Sequence, residues 1–109
     1  MTISPGAMAA TLTLTTGETM TFELYPDKAP ITTANFVDLC DQGFYDGLEF
    51  FRIAKGWVLQ SGSPDNGIMT DSDFHLEGEF AQNGHDTGLD HRRGALSMAR
   101  DDDFNTAGT

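Results

Sequence analysis

Three groups of side chains in this sequence are of types that could do chemistry, and two of them lack the spacing that the chemistry requires. His75, His85 and His91 are ten and six residues apart, without a cysteine partner or a helical i, i+4 pair, so they do not resemble a zinc site. The acidic run at 101–103 lacks the alternating ligands, the glycine and the distant glutamate of a calcium loop. There is no glycine-rich phosphate loop and no nucleophile elbow. The sequence therefore predicts no metal and no cofactor.

The third group centres on Arg52, which lies in the aromatic run "FFR" and is followed by Trp57, Val58 and Gln60. Two short β-rich runs, "EFFRI" and "WVLQS", predict neighbouring strands that carry these side chains. Taken alone, an arginine on a strand usually faces water as a solubilising residue. The interpretation of Arg52 therefore depends on the elements around it.

Alternating apolar residues predict a β-hairpin near the start of the chain. The apolar positions alternate with threonine or glutamate on both sides of Gly17. They are Ala10, Leu12 and Leu14 before the turn, and Met20, Phe22 and Leu24 after it. A further short strand, "GALSMA", is expected at residues 94–99.

A helix is expected to begin at Pro30, where a first helical residue needs no backbone N–H. Apolar residues then recur at helical spacing, and Phe36 and Leu39 widen this apolar side. The recurring residues are Ile31, Ala34, Val37 and Cys40. Gly43 is a natural left-handed end for the helix.

Length and composition indicate a single acidic globular domain. The chain has 109 residues, a length that suits one domain, with 17 acidic and 6 basic side chains and a formal net charge of -11. Because the phosphate backbone of nucleic acids repels such a chain, nucleic acid is not an expected partner. Cys40 is the only cysteine, which rules out an internal disulfide. There is neither a secretory signal pattern nor an apolar run of about 18 residues, so we expect cytoplasmic residence without a membrane partner. Residues 1–7 are expected to form a loose leader.

With these elements in place, the sequence resembles the cyclophilins, the family of peptidyl-prolyl cis-trans isomerases. The resemblance runs from Met8 onward through several motifs in the family's order. After the opening hairpin these are "APITTANFVDLCDQGFYDGLEFFRI", "GWVLQSGSP", "HLEGEF", "HRRGALSMAR" and "NTAGT". It implies that this chain has a mainly β fold with one α-helix, an incomplete cyclophilin-like antiparallel β-barrel. The complete domain of the family is a closed eight-stranded barrel capped by two helices.

The resemblance also implies roles for individual residues. Arg52 matches the family's catalytic arginine. Other positions match residues that hold the proline ring or line the groove for the peptide backbone, namely Trp57, Val58, Gln60, Ala99, Arg100 and Thr106. The sequence departs from the family pattern at Phe51, where histidine is usual, and at Arg100, where asparagine is frequent. The departure at Phe51 is expected to alter packing, because Phe51 alternates with Arg52 and lies on the opposite face of the strand.

The function implied by the resemblance is acceleration of rotation about Xaa-Pro bonds during protein folding. The expected partners are proline-containing peptides and unfolded proteins, together with a cyclosporin-like ligand. Two alternatives stay open, a module that binds proline peptides without turnover and an inactive fragment.

Relative to the family pattern, residues 8–109 supply the N-terminal part of one domain, about five of eight strands and the first of two helices. We expect the sequence to be an incomplete reading or a fragment of a longer cyclophilin. The alternative is a genuine short form that another chain or dimerisation completes.

Overall fold

The structure is a computed structural model, which describes residues 2–4, 8–64, 76–79, 83–84, 88, 92–99, 105 and 107–108. These residues contain five strands in two sheets and one helix. The elements are β1 (Thr2–Ser4), β2 (Ala9–Thr13), β3 (Thr19–Glu23), α1 (Pro30–Asp41), β4 (Arg52–Ala54) and β5 (Val58–Gln60). The structure is thus mainly strand with one helix. The described residues do not form a closed barrel, because the two sheets share no paired strand.

The first sheet contains the predicted hairpin. β2 and β3 pair antiparallel in a register that joins Ala10 to Phe22 and Leu12 to Met20, which keeps the apolar side chains on one face. Gly17 makes the turn with a φ of 93°, a backbone region that favours glycine. β1 pairs antiparallel with the outer edge of β2, so residues 2–4 of the segment interpreted as a leader belong to this sheet.

Helix α1 begins and ends where the sequence predicts. Pro30 occupies the first turn, and the helix ends at Asp41, two residues before Gly43, which has a φ of 73°. Gly43 N–H donates to the Cys40 carbonyl and Phe44 N–H donates to the Leu39 carbonyl. This is the Schellman arrangement, which satisfies carbonyls that the helix end would leave unpaired.

The predicted buried stripe of α1 is wrong in part. The buried residues are Thr33, Phe36, Leu39 and Cys40, whereas Ile31 and Ala34 are exposed. The helix is rotated because Phe36 and Cys40 form the core with Ala10 of β2. The sequence pattern alone offers two adjacent apolar faces, and packing against the hairpin selects one of them.

The small core lies between the hairpin and α1. Ala10 is fully buried, Phe36 and Cys40 are nearly so, and Leu24 and Tyr45 pack against them. The ring centroids of Phe36 and Tyr45 are 5.3 Å apart, within the range of favourable aromatic pairs. The segment after α1 therefore contributes to the same core through Tyr45.

The second sheet is the β4–β5 hairpin, which turns at Gly56 with a φ of 76°. Both strands are three residues long, shorter than the runs predicted from sequence. The strand expected at residues 94–99 is wrong, since that segment has no strand pairing. Four of its six residues are small or glycine, and strand structure depends on a neighbouring strand to complete its hydrogen bonds.

Two contacts join the later part of the chain to helix α1, and a third joins two later segments to each other. Leu76 N–H donates to the Ala107 carbonyl in an isolated antiparallel bridge. The Glu79 carboxylate accepts hydrogen bonds from the backbone N–H groups of Ile31 and Thr32. Asn35 Nδ2 donates to the Gly108 carbonyl at 2.8 Å. Among the described residues, no helix has the length and apolar character needed to cross a membrane.

Candidate functional site

The β4–β5 hairpin places the predicted functional side chains together. Its register joins Arg52 to Gln60, Ile53 to Leu59 and Ala54 to Val58. Directly paired residues of antiparallel strands point to the same face, and alternate residues share it. One face therefore carries Arg52 and Gln60, with Ala54 and Val58 behind them. The opposite face carries Ile53 and Leu59.

Arg52 is held by two contacts on this face. Its Nη1 donates a hydrogen bond to Gln60 Oε1 at 3.1 Å. Its guanidinium carbon lies 5.0 Å from the centroid of the Trp57 ring, which is a cation–π contact. The guanidinium is thus oriented by a hydrogen bond in its plane and by an aromatic ring beside it.

The site is open to solvent. Arg52 is exposed, Trp57 is 73% exposed, and Val58 and Gln60 are half-buried. A guanidinium carries five N–H groups in a planar fork, so the contact with Gln60 leaves donors that a bound peptide could use. The exposed Trp57 ring and the Val58 side chain provide apolar surface beside these donors.

A side-chain contact outside the predicted set holds the ends of the hairpin together. Ser61 Oγ donates to the Glu49 carbonyl at 2.9 Å, so the chain entering β4 is fixed to the chain leaving β5. The motif "WVLQS" contains this serine, but its partner is a backbone atom. Sequence reasoning could not identify that partner because any residue type supplies a carbonyl.

The remaining predicted site residues lie in the last part of the chain. Ala99 is exposed at the end of the described segment 92–99. Arg100 and Thr106 fall outside the described residues, so their predicted roles stay predictions. The structure brings together Arg52, Trp57 and Gln60.

Asn105 joins two later segments of the chain through hydrogen bonds that sequence reasoning did not predict. Its Oδ1 accepts hydrogen bonds from Gly78 N–H at 3.1 Å and from Asn83 Nδ2 at 3.0 Å. Asn83 Nδ2 also donates to the Gly78 carbonyl at 2.7 Å. These bonds tie the motif "HLEGEF" to the motif "NTAGT". Their joint appearance in the sequence is the only available signal of the contact.

Among the described residues, ionisation is shifted at two side chains of the core and at Tyr25, which follows β3. Burial raises the pKa of the Cys40 thiol and, more strongly, the pKa of Tyr45. The pKa of Tyr25 is raised because its hydroxyl donates a hydrogen bond to the Glu23 carboxylate. Within the described part of the chain, no three His, Cys, Asp or Glu side chains are grouped as metal ligands.

Comparison with known proteins places the chain in a family. The family model described as cyclophilin type peptidyl-prolyl cis-trans isomerase matches residues 11–109. This match covers most of the chain, so the chain belongs to the cyclophilin-type peptidyl-prolyl cis-trans isomerase family. The resemblance inferred from the sequence motifs is confirmed.

Individual relatives agree with this assignment. The chain is 43% identical over 83 residues to peptidyl-prolyl cis-trans isomerase B of Bacillus subtilis, covering 76% of this chain and 55% of the relative. It is 37% identical to peptidyl-prolyl cis-trans isomerase B of Escherichia coli, covering 70% of this chain and 44% of the relative. It is 36% identical to peptidyl-prolyl cis-trans isomerase A of Dickeya dadantii, covering 95% and 55%. The chain thus spans about half the length of these relatives. No solved structure gave a significant match.

Proposed function

We propose that this chain binds Xaa-Pro segments of peptides and unfolded proteins on the Arg52 face of the β4–β5 hairpin and accelerates rotation about the Xaa-Pro bond. The observation that carries the proposal is the orientation of an exposed arginine by Gln60 and Trp57. A free surface arginine samples many rotamers, and ordering it has an entropic cost. An arginine that is oriented before substrate arrives can act on a peptide without that cost at the moment of reaction.

The reaction requires weakening of amide resonance. Rotation about a peptide bond faces a barrier of about 18–20 kcal/mol because the C–N bond has partial double-bond character. In the twisted state the prolyl nitrogen becomes pyramidal and regains a localised lone pair. A donor that bonds to this lone pair stabilises the twisted state more than the planar ground state, and such differential binding increases the rate.

Arg52 is suited to this role on chemical grounds. A guanidinium carries a positive charge and offers N–H groups in a rigid plane. The hydrogen bond to Gln60 uses Nη1 and fixes that plane relative to the hairpin. The other N–H groups are then available to the prolyl nitrogen and to a neighbouring carbonyl of the peptide.

The neighbouring residues provide binding for the rest of the substrate. Trp57 and Val58 present apolar surface to the proline ring, and the Gln60 amide can donate to a peptide carbonyl while its oxygen accepts from Arg52. We also propose that the groove for the peptide backbone is lined by Ala99, Arg100 and Thr106. No step of this mechanism requires a nucleophile.

We include in the proposal that the two sheets belong to a cyclophilin-like antiparallel barrel. The apolar pair on the far face of the β4–β5 hairpin supports this, because Ile53 is 70% exposed and Leu59 is 58% exposed. Apolar side chains on one face of a strand pair normally pack against other strands or a helix. In a barrel this face would point inward.

The test is catalysed exchange of a short Ala-Pro peptide measured by NMR, with the 109-residue chain and its Arg52→Ala variant. Arg93→Ala is the matched control, since Arg93 is also exposed and its loss changes net charge equally. Acceleration by the parent chain and by Arg93→Ala, but not by Arg52→Ala, supports the proposal. Equal acceleration by Arg52→Ala contradicts it. Shifted proline resonances without acceleration would identify a binding module instead.

Sensitivity to a cyclosporin-like cyclic peptide is part of the same proposal. Such a ligand would compete with the Ala-Pro peptide for the apolar surface of Trp57 and Val58. A titration followed by quenching of Trp57 fluorescence measures this directly, because Trp57 is the only tryptophan in the chain. Unchanged fluorescence at saturating ligand would refute this part.

A further inference from the structure

A groove lies between the start of the first hairpin and helix α1. Its volume is about 410 Å³, which falls within the range of about 300–1,000 Å³ that is usual for ligand sites. Its apolar wall consists of Met8, Pro26, Pro30, Ala34 and Val37. None of these residues belongs to the β4–β5 hairpin.

The apolar wall is the helical stripe that the sequence predicts to be buried. Because Phe36 and Cys40 pack inward, Ala34 and Val37 are turned toward the groove, and neighbouring Ile31 is 39% exposed. Met8 at the opposite side is 40% exposed. A helix with a second apolar face that its own core does not use presents a surface for interaction.

The groove has an acidic end. Asp38 and Asp41 line it and are both exposed, one helical turn apart near the C-terminus of α1. The last turn of α1 contains no basic residue. The C-terminal end of a helix carries partial negative charge from its carbonyl groups, which adds to that of the two carboxylates. Asp38 already accepts a hydrogen bond from Gln42 Nε2 at 3.0 Å, which orients its carboxylate.

We propose that this groove binds a basic amphipathic segment of another protein. Apolar side chains of the segment would occupy the wall formed by Ala34 and Val37. A lysine or arginine about one helical turn away would contact Asp38 and Asp41. The formal net charge of -11 favours a cationic partner and opposes nucleic acid and anionic lipid surfaces. This proposal does not rest on the proposed isomerase function.

The test uses the full chain and a fluorescein-labelled peptide that repeats leucine and lysine at helical spacing, with binding measured by fluorescence anisotropy. One variant, Asp38→Asn with Asp41→Asn, removes the acidic end. A second, Ala34→Gln, blocks the groove at an exposed helix position. The matched control is Glu18→Gln with Glu49→Gln, which changes the net charge equally at exposed residues outside the groove lining. Circular dichroism verifies that each variant keeps its helix.

We expect the paired aspartate variant to weaken binding roughly fivefold, as the loss of two partly screened ion pairs implies. Ala34→Gln should weaken binding at least as much, and the control should change it less than about twofold. A peptide with glutamate in place of lysine should not bind. Absence of binding at about 1 mM peptide would overturn the proposal, since a Kd of about 1 mM already corresponds to weak binding. Equal effects of the groove and control variants would also overturn it. Sedimentation of the chain without peptide tests whether a second copy of the chain occupies the groove. A dimer that the substitution Ala34→Gln dissociates would overturn the proposal in favour of self-association.

Discussion

The contact between Arg52 and Trp57 predicts which kinetic constant of the proposed isomerisation depends on the Trp57 ring. If the ring orients the guanidinium, then Trp57→Leu should lower the turnover of the catalysed exchange. The guanidinium carbon lies 5.0 Å from the ring centroid, and both side chains are exposed. A cation–π contact at an exposed site contributes about 0.5–1 kcal/mol. Loss of this amount from transition-state stabilisation corresponds to a reduction in kcat of about two- to fivefold.

A conservative substitution makes the prediction sharper. Trp57→Phe keeps an aromatic face with a weaker attraction for cations, so its kcat should lie between those of the parent and Trp57→Leu. NMR exchange spectroscopy at several concentrations of an Ala-Pro peptide separates kcat from KM. A role limited to gripping the proline ring would raise KM and leave kcat unchanged.

The refuting result is therefore specific. If Trp57→Leu retains the parent kcat, the ring does not orient Arg52 for the reaction, whatever happens to KM. Gln60→Leu is the companion variant, because it removes the 3.1 Å hydrogen bond to Nη1 and leaves the ring in place. We expect it to lower kcat as well, since a hydrogen bond to a charged group contributes about 1.5–3 kcal/mol and this one, which is exposed to solvent, contributes less.

Three further predictions concern stability. Glu79→Ala should lower the free energy of unfolding by about 0.5–2 kcal/mol in a urea titration, because Glu79 caps the N-terminus of α1. An equal effect of Glu18→Ala, at an exposed residue of the β2–β3 turn, would contradict this prediction. Phe36→Ala should lower the free energy of unfolding by about 3–5 kcal/mol in the same titration, because Phe36 is buried in the core. A decrease below about 1 kcal/mol would show that the core does not depend on Phe36. Burial raises the pKa of Tyr45 above its ordinary value of 10.0. The contribution of the buried, protonated hydroxyl to the free energy of unfolding is therefore complete below pH 10. It is lost as the pH rises above 10, by up to about 1.4 kcal/mol per pH unit. Tyr45→Phe should flatten this alkaline decline, and an unchanged slope would refute the assignment.

The parts of the fold that sequence predicts well are those with local causes. The β2–β3 hairpin follows from period-two alternation around Gly17, and α1 follows from Pro30, helical spacing and Gly43. The choice of buried face on α1 is not local. Phe36 is buried because Ala10, distant in sequence, packs against the helix there. The strand expected at residues 94–99 failed for a related reason, since strand structure requires a partner that the segment itself does not specify.

The candidate site was predictable to a similar degree. Family motifs identify Arg52, Trp57 and Gln60, and alternation along the two runs places Val58 with Gln60. The contact of Arg52 with the Trp57 ring depends on side-chain rotamers and could not be read from spacing. Capping of α1 by Glu79 also escapes sequence reasoning, because the two partners are 47 and 48 residues apart and obey no fixed spacing.

That cap bears on the order in which the chain can fold. The first turn of α1 receives its carboxylate from Glu79, and Asn35 on the same helix reaches the Gly108 carbonyl, 73 residues away. Closing loops of this length costs chain entropy and slows the formation of the contacts that close them. During synthesis from the N-terminus, the β2–β3 hairpin and α1 can associate through Ala10 and Phe36 as soon as they are made. The helix start is secured only after residue 79 has been added, so a ribosome-bound nascent chain ending before that residue should show fast hydrogen exchange at Ile31 and Thr32.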